Sequence, residues 1–255
     1  MEKEAPKKKI ILKKEKNLND FTACDSTLQM LEKARRDDVK TTFDRAADMK
    51  ACPIGADSAC CKHCFMGPCR LNPRDPYSKV GVCGVTIDTI MARNFARMVA
   101  AGAAAHTDHG MAMLELFREV VNGKITDYKI KDVQKLKEVA LSIGIEIEGR
   151  TTKEIAKDLY EQLEATYTQI EGEIPFMKRV PPKTLETWRK LGVVPRGAML
   201  EIMEMMHRTC MGVDQHYENI TKQATRTALA DGWGGSMVST EISDILFGTP
   251  TPVAG

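Results

Sequence analysis

The sequence predicts a mainly α-helical domain that carries a cysteine-rich loop. Apolar residues recur at helical spacing in several long segments, whereas runs with the alternation typical of a strand are few. Aromatic residues make up only 5% of the chain while methionine occurs 15 times. A core of aliphatic, alanine and methionine side chains suits helices that approach one another closely, and we therefore expect helices to pack on helices.

The longest predicted helix begins shortly after the last cysteine of the loop. Threonine is a preferred N-cap residue, so Thr86 suits the start of this helix. Apolar residues follow helical spacing from Ile87 onward. The segment can continue to Val121, where Asn122 and Gly123 provide a stop. We expect this helix to be mostly buried.

Five further helices are predicted in the second half of the chain. Thr151 and Glu154 have the spacing of a capping box, Pro182 suits a first helical turn, and Gly144 and Gly212 suit helix ends. The predicted spans are Gln134 to Ile143, Ile155 to about Tyr167, Thr184 to Leu191, Arg196 to Met211, and His216 to Ala230.

Two segments are predicted to interrupt these helices. The stretch from Pro175 to Pro182 is expected to be a loop because it contains three prolines. Gly232, Gly234 and Gly235 are expected to break the helical pattern, because glycine has a low helix propensity. No helix is predicted beyond these glycines.

The overall composition is that of an ordinary globular protein. The chain has 255 residues, of which 43% are hydrophobic and 28% charged, enough for one or two domains with a sizeable core. A net charge of +2 gives no argument for nucleic acid. Residues 1–22 are lysine-rich and are expected to form a flexible arm, with the helical domain in residues 23–255. No apolar run has the length of a membrane span, and the cytoplasm is the expected compartment.

Six of the eight cysteines lie in one window of the sequence. They are Cys52, Cys60, Cys61, Cys64, Cys69 and Cys83. A cubane iron–sulfur cluster and a closed zinc site each take four protein ligands, so six thiols are interpreted as four plus two.

The spacing indicates which four cysteines belong together. Cys61, Cys64 and Cys69 surround one compact loop that turns at Gly67-Pro68, and Cys83 joins them from beyond. The remaining pair is Cys52 and Cys60. If this pair supplies half of a site, the simplest donor of the other half is the same loop in a second copy of the chain across a two-fold axis.

The cysteine pattern disfavours two other uses, a disulfide framework and a zinc ribbon. A disulfide framework is disfavoured because the cysteines are crowded, the chain is long and no signal peptide is evident. A zinc ribbon would repeat the C-x2-C step, which only Cys61 and Cys64 show. Iron–sulfur clusters are favoured, and the shared site is left open between a four-iron and a two-iron cluster.

The segment from Cys52 to Arg70, with VGVCG around Cys83, resembles the cluster-binding signature of the anaerobic nickel–iron–sulfur carbon monoxide dehydrogenases. The resemblance covers roughly residues 23–255, and residues 127–149 are most similar to the acetogenic members that work with acetyl-CoA synthase. Further similar runs are Phe43-Asp44-Arg45, Ala92-Arg93-Asn94, residues 101–106, His109-Gly110, residues 228–231 and residues 243–250.

The resemblance implies an electron-transfer function. It implies that Cys61, Cys64, Cys69 and Cys83 hold a [4Fe-4S] cluster within the subunit, and that a second cluster is shared across a homodimer. The family's reaction is CO + H2O to CO2, two protons and two electrons, with ferredoxin as the expected acceptor. His63 lies inside the cluster loop and is expected to pack beside it rather than to ligate.

The catalytic nickel–iron–sulfur centre is expected to lie outside this chain. In the family its ligands are a histidine and several cysteines that come later in the sequence, whereas only Cys24 and Cys210 remain here, and both are expected to be buried. We therefore expect activity only together with a polypeptide that carries the nickel-site domains. The alternative is a stand-alone iron–sulfur redox or regulatory module. A zinc-stabilised helical interaction domain is more distant.

The resemblance also implies a possible proton path. His106 and His109 share a helix face, and in the family histidines along this helix are thought to pass protons to the active site. The following steps along this face are Ala112 and Glu115 instead of histidine, so ordinary structural histidines are the competing interpretation.

Overall fold

The structure is a computed structural model that describes residues 17–49 and 52–252. The protein is mainly α-helical, as predicted. It divides into two compact units, Met1–Cys52 and Pro53–Gly255. The first 16 residues of the predicted arm lie outside the described residues. None of the helices in the described part combines the length and the apolarity that crossing a membrane requires.

The first unit contains two helices, α1 (Asp25–Arg36) and α2 (Thr42–Asp48), after a short 3-10 turn. Thr41 and Asp44 form a reciprocal capping box at the start of α2, which satisfies backbone N–H groups that the first turn leaves unpaired. The rings of Phe21 and Phe43 stack with centroids 4.5 Å apart. These local interactions define a small helical unit.

The second unit consists mostly of helices, with a two-strand ladder near its beginning in sequence. In chain order its elements are α3 (Pro53–Ala56), β1 (Cys60–Cys61), β2 (Cys69–Arg70), α4 (Ile87–Val121), α5 (Val133–Ser142), α6 (Thr152–Thr168), α7 (Pro182–Leu191), α8 (Ala198–Arg208), α9 (Tyr217–Ala230) and α10 (Met237–Phe247). The long α4 is central, and α6, α8, α9 and α10 all pack against it.

The predicted helix boundaries agree with the structure where capping residues mark them. The Thr86 side chain accepts a hydrogen bond from the Thr89 amide at the start of α4, and Gly123 follows its end with a φ of 73°. Thr151 and Glu154 form the predicted capping box of α6. The predicted extent of the long helix and the α6 start are therefore confirmed. The expectation that the long helix is mostly buried was wrong, because 12 of the 35 residues of α4 are buried.

Both predicted interruptions differ from the structure. Residues Pro175–Arg179 form a 3-10 helix rather than a loop. Residues Asp231–Ser236 form a π-helix that connects α9 directly to α10, so the glycines do not break the helix. Gly234 and Gly235 are buried where neighbouring elements approach closely, and their missing side chains make room for this contact.

The core is divided into a large cluster and smaller ones. The large cluster joins α4, α5, α6 and α10, with Phe117, Leu136, Leu159 and Ile242 all fully buried. A separate small cluster lies under the cysteine loop and consists of Ala59, Cys61, Leu71, Val85, Ile87 and Ile90. The cysteine loop thus rests on its own apolar base at the start of α4.

Candidate metal centre

A short hairpin forms the base of the cysteine loop. Strands β1 and β2 pair antiparallel, with Cys61 opposite Cys69. A β-carbon added at Gly67 would lie 3.1 Å from both the Cys61 carbonyl oxygen and the Cys69 amide nitrogen, so the loop folds back too tightly for a larger residue to fit easily. The predicted turn at Gly67-Pro68 therefore brings Cys61 and Cys69 together, with Cys64 in the loop between them.

A second turn lies against the hairpin. The Gly81 amide donates to the Val85 carbonyl oxygen at 2.8 Å, and the Val82 amide donates to the Cys69 sulfur at 3.4 Å. A β-carbon on Gly81 would lie 3.4 Å from the same sulfur. Cys83 lies within this turn, which explains how a cysteine distant in sequence comes to the hairpin.

The surroundings of Cys83 favour a thiolate. Burial, the largest single influence, raises the pKa of this thiol, but interactions with Gln215 and Arg93 and a hydrogen bond from the Val85 backbone together lower the pKa below its ordinary value. The Arg93 Nη1 lies 3.9 Å from the Cys83 sulfur. Because thiolates are the form that binds metals, these contacts suit a ligand.

The four cysteines of the predicted intrasubunit cluster differ in how far they are buried. Cys61 is buried, Cys64 and Cys69 are half-buried, and Cys83 is exposed. Within residues 17–49 and 52–252, no three Cys, His, Asp or Glu side chains converge closely enough to hold a metal ion. The chemistry of the donor set fits an iron–sulfur cluster, because soft thiols are accompanied by an N–H to sulfur bond and a guanidinium. The ligand set itself stays a prediction.

Asn94 of α4 forms hydrogen bonds with residues of the cysteine loop, His63 among them. The sequence alone assigned no role to Asn94. The Asn94 side chain donates to Ser58 and to the Cys60 carbonyl oxygen, at 3.0 and 3.2 Å, and its Oδ1 lies 2.9 Å from His63 Nε2. Burial, with the charges of Arg97 and Arg93, lowers the pKa of His63 against the opposing bond from Asn94. Asn94 thereby joins α4 to the hairpin, a contact made across more than 30 residues.

The pair predicted to share a cluster across a dimer belongs to different compact units. Cys52 is the last residue of the first unit, and its side chain is exposed. Cys60 is half-buried in β1 of the second unit. The shared site stays a prediction.

The two remaining cysteines are not the buried hydrophobic residues that were predicted. Cys24 is exposed at the position before α1, where hydrogen bonds from Thr27 and Ser26 lower its pKa. Cys210 is half-buried, and its sulfur lies 4.0 Å from the His63 carbonyl oxygen. The prediction was wrong for both cysteines, because Cys24 lies at the exposed N-cap of α1 and Cys210 lies just beyond the C-cap of α8, so neither is inside the helical core.

The histidines of the predicted proton path lie on α4. His106 Nδ1 is 2.7 Å from Asp231 Oδ1, at the start of the π-helix, and its side chain is about half exposed. His109 is exposed on the same helix. Asp231 orients His106. The sequence alone does not show this role, because the two residues are 125 positions apart. The proton path stays a prediction.

Comparison with known proteins gives consistent matches to one family. The model of the prismane/CO dehydrogenase family matches residues 59–255. Carbon monoxide dehydrogenase 1 of Methanosarcina mazei is 44% identical over 88% of this chain and 36% of its own length. The carbon monoxide dehydrogenase/acetyl-CoA synthase subunit beta of Moorella thermoacetica is 39% identical over 92% of this chain and 35% of its own length.

A solved structure agrees with these matches. The nickel-free carbon monoxide dehydrogenase of Thermococcus sp. AM4, produced without the CooC maturase, superposes with a TM-score of 0.84 at 42% identity, over 92% of this chain and 38% of that one. This chain therefore spans little more than a third of the length of the relatives that it matches. The helical fold, the cysteine loop and these matches together show that the chain belongs to the prismane/CO dehydrogenase family.

Proposed function

We propose that this chain is the electron-transfer and dimer-forming part of a carbon monoxide dehydrogenase. The overall reaction is CO + H2O to CO2 + 2 H+ + 2 electrons. The observation that carries the proposal is the cysteine loop, in which an amide donates to Cys69 and a guanidinium lies beside Cys83, within a chain that belongs to this family. Iron–sulfur clusters are one-electron carriers, and donors to their sulfurs tune their potentials.

Within this function, Cys61, Cys64, Cys69 and Cys83 hold one [4Fe-4S] cluster per subunit. The hairpin register, which places Cys61 opposite Cys69, and the contact of the Val82 amide with the Cys69 sulfur, one residue before Cys83, support this set. Cys52 and Cys60 hold half of a further cluster, which a second copy of the chain completes.

The catalytic nickel–iron–sulfur centre is completed by protein outside these 255 residues. The share of the relatives' length that this chain spans supports this division. In the cytoplasm, a ferredoxin accepts the electrons. The match to a carbon monoxide dehydrogenase/acetyl-CoA synthase subunit supports acetyl-CoA synthase as a further partner.

The test is anaerobic purification followed by analysis of iron, sulfide, nickel and zinc. We expect about six irons per chain, four in the subunit and half of a shared four, or about five if the shared cluster has two irons. Nickel should be near zero unless a second polypeptide co-purifies. Stoichiometric zinc without sulfide would refute the proposal. Clusters with no nickel-bearing partner in the cell would instead favour a stand-alone redox module.

Two cysteine variants test the assignment of ligands. Cys64→Ser should remove about four irons per chain and leave the dimer intact. Cys52→Ser should remove about two irons and shift the chain toward monomers in analytical ultracentrifugation, because the shared cluster is a bond between subunits. Equal iron losses in the two variants would show that the partition is wrong. Cys24→Ser is the matched control, since Cys24 is outside both sets.

A further inference from the structure

Arg93 is a buried cation without a carboxylate partner among the described residues. Its side chain lies on α4 and is 1% exposed. Burying a guanidinium is unfavourable unless an opposite charge compensates it. No carboxylate among the described residues forms an ion pair with Arg93. The guanidinium instead contacts the Cys83 sulfur and the Asp214 carbonyl oxygen.

The other buried charges of the described part show that this is an exception. Glu201 pairs with Arg196 at 2.9 Å, Glu241 with Lys135 at 2.7 Å. The third buried acid, Asp214, pairs with Arg208 at 2.9 Å. Among the four buried charged residues in residues 17–49 and 52–252, Arg93 alone forms no ion pair between a basic side chain and a carboxylate.

The contacts of Arg93 show where its charge is directed. Nη2 donates to the Asp214 carbonyl oxygen at 2.5 Å, which holds one end of the guanidinium. Nη1 lies 3.9 Å from the Cys83 sulfur, and the buried Nε has no hydrogen-bond partner. The carboxylate of Asp214 is occupied by Arg208 and by the His216 amide, so it does not serve as the counter-ion.

We infer that Arg93 is the counter-ion of the anionic iron–sulfur cluster at Cys83 and a positioning residue that sets its reduction potential. The inference rests on the proposed function, because the cluster is the missing negative charge. A [4Fe-4S]2+ core with four thiolates carries a net charge of minus two, and one-electron reduction adds a further negative charge. A fixed buried cation stabilises the reduced form more than the oxidised form, which raises the potential.

The experiment is a redox titration of the purified chain, monitored by electron paramagnetic resonance of the reduced cluster. A Cys52→Ser background removes the signal of the shared cluster. Arg93→Met removes the charge at similar length, Arg93→Lys keeps a charge, and Lys79→Met removes an exposed charge from the same region of the sequence. Iron, sulfide and circular dichroism are recorded for each variant.

We expect Arg93→Met to lower the reduced-to-oxidised ratio at a fixed potential by at least about tenfold, which is a negative shift of ~59 mV for one electron. Arg93→Lys should shift less. Lys79→Met should change the ratio by less than about twofold, because water screens an exposed charge. Loss of the cluster in Arg93→Met but not in Arg93→Lys also supports the inference, since lysine keeps the positive charge that methionine lacks.

Other outcomes contradict it. An intact cluster with unchanged potential in Arg93→Met overturns the inference. So does loss of cluster or fold in both Arg93 variants, because a retained positive charge would then not account for the role of the side chain. Failure of the proposed function looks different: the unsubstituted chain would hold no iron and sulfide, and no potential could be measured.

Discussion

At the scale of single residues, Tyr167 shows how closely two helices are fitted together. Its hydroxyl donates to the Gly234 carbonyl oxygen at 2.9 Å in a buried position. A β-carbon at Gly110 of α4 would lie only 2.2 Å from that hydroxyl, so the tyrosine occupies space that a glycine leaves open. Burial raises the pKa of Tyr167 well above its ordinary value, because ionisation in this contact would leave a charge without water.

Tyr167→Phe should lower the free energy of unfolding by about 1 kcal/mol at neutral pH, because the Gly234 carbonyl loses its donor. The raised pKa stabilises the folded state fully below the unfolded pKa of about 10, and this contribution is lost as pH rises above that value. The unsubstituted chain should therefore lose more stability than Tyr167→Phe between about pH 8 and about pH 11. Urea denaturation at both pH values measures the difference.

The exposed Tyr77 gives the control for this prediction. Tyr77→Phe should leave both the neutral stability and its pH dependence close to those of the unsubstituted chain. If Tyr167→Phe and Tyr77→Phe show the same loss of stability on alkalinisation, the buried hydroxyl has no part in it.

Residues that act through local spacing could be predicted, and residues that act through distant contacts could not. Cys61, Cys64 and Cys69 form a pattern within a few positions, which indicates cluster chemistry from sequence alone. Arg93 and Asn94 have no such pattern. Their importance depends on Asp214 and Ser58, which are brought to them only by folding, so the sequence alone assigned them no role.

At the scale of elements, helix starts were more predictable than helix continuity. A capping box is a local interaction between residues three apart, and the sequence shows it directly at Thr151 and Glu154. The prediction of a break at the glycines after α9 is wrong because it rests on their low helix propensity alone. Tertiary packing outweighs it here: a β-carbon at Gly235 would lie 2.8 Å from the His106 carbonyl carbon. The helix continues through the π-helix into α10, and the missing β-carbon of Gly235 makes room for this close approach.

A pair of glycine variants tests this explanation. Gly235→Ala should lower the free energy of unfolding by about 1–3 kcal/mol, because the new methyl group would press on the backbone of α4. Gly232→Ala, in the same π-helix, has nothing within 4 Å of the added carbon and should be neutral or stabilising by up to about 1 kcal/mol. Chemical denaturation under anaerobic conditions measures both. Equal effects would show that propensity, and not packing, governs the segment.

At the scale of the whole molecule, the cysteine loop and the helical core are separate in packing. The large core joins α4, α5, α6 and α10, whereas the small cluster under the loop is built around Ala59, Cys61, Leu71 and Val85. The helical class followed from periodicity, but this division did not, because it depends on contacts between residues far apart in sequence. Metal binding should therefore stabilise the two regions unequally.

Removal of iron should open the loop and spare the core. After anaerobic chelation we expect backbone amides in residues 59–71 and 81–85 to lose their protection from hydrogen exchange, because a two-strand ladder is marginal without its cluster. Amides of α6, α9 and α10 should keep theirs. Leu136→Ala is the converse control: it removes a fully buried side chain from the large core, at a cost of about 2–5 kcal/mol, and should weaken core protection while leaving the iron content unchanged. Uniform loss of protection on chelation would mean that the iron–sulfur cluster stabilises the entire second unit. The small hydrophobic cluster would then not unfold separately from the large one.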